Sequence, residues 1–433
     1  MRKPHPAPFR LIRPRLAALG GALALGLAAV VFARSGEAAQ ALFDRLWAIA
    51  PWTPLVLTPL LFALVTATTR RHFDAARGSG IPQVMAAAGG HDPATLARGP
   101  LVSLRTALAK FAGTIAMLLG GAAVGREGPT VQISAAIMVA VHRALRVPVT
   151  SGVIIAGGAA GVAAAFNTPL AGVAFAIEEL AAAFEQKLAV LVMLAVLTAG
   201  LVSLALSGDY IYFGAMAQSL PAAGAIGASL LAGLCGGAAG GLFARLLIAF
   251  AEAHHPWIAR LKARPVVFAL GCGLVVAATG LASGGISWGT GYGATRQLLA
   301  GGGQSLWFGP ARFVATVATA VSGAPGGIFA PSLSVGAGLG QALALLFPGE
   351  SSGAIVMLGM IGYFAGVTRA PLTAVIIVME MTANRAMILP LFAAALCADQ
   401  VSAWLCPDKL YHALARPFRA RPPKGESAAT SAS

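Results

Sequence analysis

Charged residues are missing from this chain over lengths that few folds can absorb. Leu16 to Ala33 is eighteen consecutive residues without one, and Phe111 to Val124 is fourteen more. Such runs recur as far as Trp404, separated by basic or glycine-rich breaks. In hydrocarbon each backbone N–H and C=O must find a partner within its own segment, which leaves helices for runs of this kind. A full crossing takes roughly 20 apolar residues, and re-entrant pieces take fewer. Of the 433 residues, 58% are hydrophobic and only 10% charged, against roughly 25% charged in soluble domains. The expected fold class is an all-α polytopic membrane protein with no room for a large soluble domain.

The net charge of +15 does not point to nucleic acid. Lys and Arg gather at the chain ends and between apolar runs, without the aromatic-basic alternation that single-strand binding uses. Arg2, Lys3, Arg10, Arg13 and Arg15 precede the first run, and Arg416, Arg419, Arg421 and Lys424 follow the last. The positive-inside rule then puts both termini in the cytoplasm. Residues 1–15 read as a basic cytoplasmic N-terminus, 16–411 as the membrane domain, and 412–433 as a short cytoplasmic tail of disordered composition. Leu16 to Ala33 exceeds the about 7–15 residues of a signal-peptide core, so it reads as an uncleaved first helix. Arg34 to Arg45 reads as a polar connection, Leu46 to Thr69 as a second span, and Ser283 to Gly303 as an exposed loop or mouth. The four cysteines show no paired spacing and read as small hydrophobes. The seven histidines form no HExxH, so neither a metal nor a cofactor is expected.

Inside the apolar sequence, Gly125-Arg126-Glu127-Gly128-Pro129 sets two charges side by side. An ionised group there faces a cavity, pairs, or moves with a proton or ion. Two more glycine-proline turns, Gly78-Ser79-Gly80-Ile81-Pro82 and Gly326-Gly327-Ile328-Phe329-Ala330-Pro331, likewise open apolar segments. Helix N-termini present free N–H groups and about half a positive charge. Three such ends converging would form an anion site from backbone N–H groups and the Ser79 hydroxyl, with Tyr411 as a further donor. Taken alone, Ser79 also fits an ordinary N-cap. A full positive charge would hold a small anion too tightly for conduction, which casts Arg126 as a structural brace. Glu127 differs, because its carboxylate is an anion that can occupy the site and that protonation removes. Glu178 and Glu179 are the candidates for carrying a proton onward. Helix neighbours point about 100° apart, so at most one need face that route.

An internal repeat accompanies these motifs. Gly125 to Thr130 and Gly327 to Ser332 are both glycine-opened, proline-closed turns, and Pro129 and Pro331 differ by 331 − 129 = 202. Pro169-Leu170 leading to Glu178 and Pro371-Leu372 leading to Glu380 differ by 371 − 169 = 202 again. Two related halves, roughly 46–207 and 222–405, with helices broken in the membrane are a recurrent plan of transporters. The sequence leaves open whether the halves are parallel or inverted. Glu380, with Arg369 upstream, reads as structural.

At these residues the sequence resembles the CLC family of chloride channels and proton-coupled chloride transporters, most of all the bacterial exchangers. The three turns look like that family's anion-selectivity segments in the expected order, and Lys409-Leu410-Tyr411 is similar to its late tyrosine. The match runs from about Leu46 to Leu414. It implies a homodimer of inverted repeats in a bacterial inner membrane, each subunit with its own pathway. Ser79, Ile328, Phe329 and Tyr411 would bind chloride, Ile328 and Phe329 through backbone N–H groups. Glu127 would be the external gating glutamate and Glu179 the internal proton-transfer glutamate. Gly78, Gly80, Ile81, Pro82, Gly125, Arg126, Gly128, Pro129, Gly327, Ala330 and Pro331 would complete the selectivity segments. Ser79 fits chloride preference, where nitrate-accumulating plant relatives carry Pro, and the motifs are unlike those of the fluoride-exporting branch. Two positions depart from the pattern: Gln83 stands where many relatives have Glu, and Met85 where another acid is common. The 22 residues after Tyr411 are too few for the nucleotide-binding regulatory domains of eukaryotic relatives.

The expected function is proton/chloride antiport, with chloride, protons and the lipid bilayer as partners. Its rival is a passive voltage- or pH-gated chloride channel of the same family. A third reading, an intramembrane enzyme with Glu127 and Glu179 as an acid-base pair, lacks a nucleophile or a histidine near either carboxylate in the sequence. The chain is therefore read as not an enzyme.

Overall fold

The computed structural model describes residues 8–90, 96, 99–180, 186–208, 211–252 and 255–419. The basic residues Arg2 and Lys3 and the tail from residue 420 lie outside the described residues. Eighteen α-helices and no strand are found among the described residues. In the first half they are α1 (Pro8–Ile49), α2 (Thr53–His72), α3 (Ile81–Ala88), α4 (Leu104–Leu119), α5 (Glu127–Ala144), α6 (Ser151–Phe166), α7 (Pro169–Phe175) and α8 (Gln186–Ser207). The second half holds α9 (Ala222–Glu252), α10 (Pro256–Ala263), α11 (Pro265–Ala282), α12 (Tyr292–Leu299), α13 (Phe308–Val321), α14 (Phe329–Ala344), α15 (Ser352–Thr368), α16 (Pro371–Thr382), α17 (Ile388–Leu405) and α18 (Leu410–Ala415). One π-turn, Ala176–Leu180, extends α7. Among the described residues, six helices are long and apolar enough to cross a membrane, and others are shorter.

Proline sets the starts. Pro54, Pro82, Pro169, Pro265 and Pro371 all stand in the first turn of their helices, where the missing N–H costs nothing. The repeat offset fixes the stops as well. Asn167 and Arg369, 202 apart, both adopt left-handed backbone (φ 56° and 57°) and end α6 and α15.

Equivalent residues of the two halves also bond to each other. Gly125 N donates to Gly327 O at 2.8 Å, and Gly327 N donates to Gly125 O at 2.9 Å, an antiparallel pair. The Glu178 carboxylate accepts from Leu372 N (3.1 Å) and Thr373 N (2.7 Å) at the start of α16. Glu380 accepts from Leu170 N (3.1 Å) and Ala171 N (2.8 Å) at the start of α7. Every partner in these two exchanges is shifted by 202. Reciprocal bonds of this kind require a two-fold relation between the halves, and the glycine pair runs antiparallel at the junction. Glu380 is structural in this sense, as a cap.

Small residues bring the inner helices together. A Cβ on Gly359 of α15 would overlap the backbone of Gly340 in α14, and one on Gly236 of α9 would overlap Gly362. Membrane helices associate through such close backbone contact.

Two sequence expectations differ from the structure. Arg34 to Arg45 is not a connection: α1 is a single helix of 42 residues, and the chain turns only at Ala50–Trp52. Polar residues interrupt an apolar run without breaking a helix, and the stretch holds neither Gly-Gly nor Pro until Pro51. Nor is Ser283 to Gly303 exposed throughout: Gly284 near its start is, but Ser287 to Gly291 are buried.

Candidate anion and proton site

Three helix N-termini meet at the pseudo-two-fold. The Gly125–Gly327 pair joins the starts of α5 and α14, and Gly326 N donates to Gly78 O at 3.0 Å, tying in the turn before α3. Gly80 takes φ 106°, and a Cβ there would lie 2.7 Å from Gly128 O. Only glycine suits both that conformation and that approach. The buried Lys110 ammonium donates to Gly78 O (2.7 Å) and Arg77 O (3.2 Å), which holds the carbonyls of this turn away from the site. Tyr411 completes the group from α18, its ring 5.9 Å from that of Phe329.

The donors of this site have few protein partners. The Ser79 and Tyr411 hydroxyls are buried beside each other, and among the described residues neither makes a hydrogen bond of ordinary length. Ser79 is not an N-cap: Gly80 takes the cap position of α3, with no side-chain bond to the helix. A buried hydroxyl left unpaired is costly unless something else accepts from it, and a helix N-terminus beside it favours an anion. Ile328 and Phe329 stand at the start of α14, where N–H groups have no intrahelical acceptor.

Glu127 occupies part of this cradle. Its Oε2 lies 3.5 Å from Ala330 N at the α14 N-terminus, and its Oε1 accepts from the Tyr292 hydroxyl. A Cβ at Gly125 would overlap Oε2, so the glycine makes room for the carboxylate. Arg126 points elsewhere. Its guanidinium donates to Ala33 O, to Glu37 Oε1 (3.1 Å) and to Tyr212 Oη (3.3 Å), fastening the turn to α1.

The two adjacent acids have different surroundings. Glu178 caps α16, as described above. Glu179 is 3% exposed, and neither of its oxygens has a hydrogen-bond partner among the described residues. Lys409 and Glu178 are the charges that act on it. Gln83 lines a cavity with Ser79, and its amide donates to Arg77 O; Met85 is buried.

Two cavities reach the site and share no lining residue. One of about 360 Å³ is bordered by Ser79, Gly327 and Ile328 and by Arg70, Arg77 and Lys262. The other, of about 510 Å³, is bordered by Arg126, Tyr212, Tyr292 and Glu37. The turns at 78–82, 125–129 and 326–331 stand between them. Tyr292, Tyr212 and Glu37 carry no sequence signal for this placement, since they contact the site across 86 to 165 residues. Lys110 and Arg312 did carry one: Lys110 is the lone charge of the apolar run from Thr106 to Val124, and Arg312 the lone charge of α13.

Comparison with known proteins gives this geometry its kinship. A family model described as voltage gated chloride channel matches residues 61–403. The H(+)/Cl(-) exchange transporter ClcA of Yersinia pestis is 32% identical over 388 residues, covering 85% of this chain and 78% of the relative. ClcA of Cronobacter sakazakii is 33% identical over 423 residues, covering 92% and 87%. In fold, the chain is similar to a slow cyanobacterial Cl−/H+ antiporter, with a TM-score of 0.81, 24% identity and 96% and 99% of the two chains covered. A CLC-type fluoride/proton antiporter aligns with a TM-score of 0.78 at 23% identity, covering 95% and 99%. With a family model matched over most of its length and relatives a third identical across it, the chain belongs to the CLC family of voltage-gated chloride channels and transporters.

Proposed function

We propose that this protein is a proton-coupled chloride antiporter of a bacterial inner membrane. The observation that carries the reading is the Glu127 carboxylate at the α14 N-terminus, near two adjacent buried hydroxyls, Ser79 and Tyr411, that make no hydrogen bond of ordinary length among the described residues. Chloride accepts from the Ser79 and Tyr411 hydroxyls and from the N–H groups of Ile328 and Phe329. Ionised Glu127 competes for the same positive helix end. Protonated, it has no charge to hold it there, so the proton it takes up opens the way for the anion. The charge left on the site is a dipole rather than a cation, which lets chloride leave.

Glu179 serves as the second proton station. A buried carboxylate without a partner destabilises the fold and has no structural use here, whereas intramembrane acids of this kind mark proton relays. That same acid favours exchange over the passive channel, which would need no second carboxylate. The relatives named for proton/chloride exchange point the same way. Both termini lie in the cytoplasm on this reading, following the basic residues. The outward ridge of Val190, Met193, Leu197 and Leu201 on α8, with Leu389, Leu396 and Trp404 on α17, is the face for a second copy in a homodimer.

Reconstitution in liposomes tests the proposal. An imposed chloride gradient should drive protons uphill in the opposite sense. Chloride flux with no proton movement would establish the channel instead.

A further inference from the structure

The Glu127 carboxylate is held at both ends. While Oε2 faces Ala330 N, Oε1 takes the Tyr292 hydroxyl proton into a hydrogen bond. Tyr292 is the first residue of α12, and the turn before it is fixed from three sides. Arg312 of α13 donates to Ser287 O (2.8 Å), Trp288 O (3.1 Å), Gly289 O (3.0 Å) and Thr290 O (2.9 Å). Gln40 of α1 accepts from Thr290 N (3.3 Å), and Ser334 of α14 donates to Thr290 O (3.3 Å). Gly291 turns the chain at φ 80°, where a Cβ would overlap Ser334 Oγ and crowd the Arg312 guanidinium.

A fully buried guanidinium is costly to desolvate, and among the described residues Arg312 forms no ion pair. Its terminal nitrogens serve only the carbonyls of this one turn. The Tyr292 ring is packed as firmly, edge-on to Tyr212 with centroids 4.4 Å apart and to Phe213 at 5.9 Å. Tyr212 is in turn bonded by Arg126, which pairs with Glu37 at the cavity mouth. The hydroxyl is therefore aimed by a rigid frame drawn from α1, α13 and α14.

We infer that Tyr292 is a latch, a positioning residue that holds the Glu127 carboxylate over the anion site and so sets how strongly that carboxylate competes with chloride. The inference rests on the reading of Glu127 as the removable anion. Its physical basis is a difference between two states. With Glu127 in place, the hydroxyl bonds a carboxylate, and such charge-assisted bonds are the stronger kind. With Glu127 displaced, the hydroxyl is left with neutral partners, the Tyr212 side chain beside it and the 510 Å³ cavity it borders. Only the chloride-excluding state gains, so the latch shifts the competition by roughly tenfold or more.

Calorimetry of chloride binding to the purified full chain tests this in a double-mutant cycle with Tyr292→Phe and Glu127→Ala. Tyr292→Phe should bind chloride more tightly than the wild type, by about tenfold or more. Glu127→Ala should tighten binding at least as much, and adding Tyr292→Phe to it should change nothing further. Tightening by Glu127→Ala without tightening by Tyr292→Phe overturns the latch while leaving the gate. An equal effect of Tyr292→Phe in both backgrounds overturns it too, because the tyrosine would then act on the anion directly. Tyr292→Leu separates hydroxyl from ring: an effect in Leu alone assigns the role to packing and sinks the latch. If Glu127→Ala binds chloride like the wild type, the competing carboxylate and its latch both fall. Anion binding is measured here without proton flux, so failure of antiport in liposomes is a separate result.

Discussion

Gly125 and Gly327 exchange both of their backbone hydrogen bonds, at 2.8 and 2.9 Å, although 202 residues separate them. Each is the equivalent of the other in its own half. The contact therefore lies on the axis that relates the halves, and the N-termini of α5 and α14 start from it. A single alanine here should have local consequences. In Gly125→Ala the new Cβ overlaps Glu127 Oε2 and comes within 3.2 Å of Ala330 N. The carboxylate should be displaced, with chloride binding by calorimetry at least as tight as in the wild type and proton transport per chloride reduced several-fold.

Replacing Glu127 with Gln keeps the side chain's size and removes its charge. Chloride flux in liposomes should persist and lose its dependence on pH, while gradient-driven proton movement should fall to background. Retained proton pumping in this variant would remove Glu127 from the proton route.

Adjacent acids should respond in opposite ways. Glu178→Ala leaves Leu372 N and Thr373 N without their acceptor, and loss of a helix cap costs about 1 kcal/mol. Its thermal midpoint in detergent should fall while proton/chloride coupling survives. Glu179→Gln replaces a buried acid that has no hydrogen-bond partner among the described residues. Its midpoint should stay level or rise, and coupled proton transport should be lost with chloride flux intact. Glu380→Ala should behave like Glu178→Ala, since it caps α7 in the same way.

Lys110 is tested by Lys110→Met, which keeps the length of the side chain. Two carbonyls, Gly78 O and Arg77 O, lose their donor, at about 1–3 kcal/mol for each buried group left unsatisfied. The Ser79 turn should loosen, weakening chloride affinity at least fivefold together with a lower thermal midpoint. An unchanged affinity with a lowered midpoint would confine Lys110 to stability.

Much of the architecture was legible in particular residues. Pro129 and Pro331, and Pro169 and Pro371, gave the repeat its offset because proline starts a helix wherever the chain puts it. The same offset recurs in Asn167 and Arg369, which end α6 and α15 in left-handed backbone, a feature no apolar pattern signals. The polar stretch from Arg34 to Arg45 misled, because charge interrupts hydropathy but not helical hydrogen bonding. Its Glu37 is instead the outer partner of Arg126.

The sequence by itself determined the membrane class, the two related halves, the three broken helix starts and the residue types able to hold an anion. These depend on local chemistry: glycine and proline act on their own backbone, and an uncharged run declares its solvent. Only the tertiary structure decided that the halves meet across a two-fold and which acid of Glu178 and Glu179 is a cap. It alone brought Tyr292 onto Glu127 across 165 residues. Those outcomes depend on where the other half's helix ends arrive, and no spacing within one segment encodes that position.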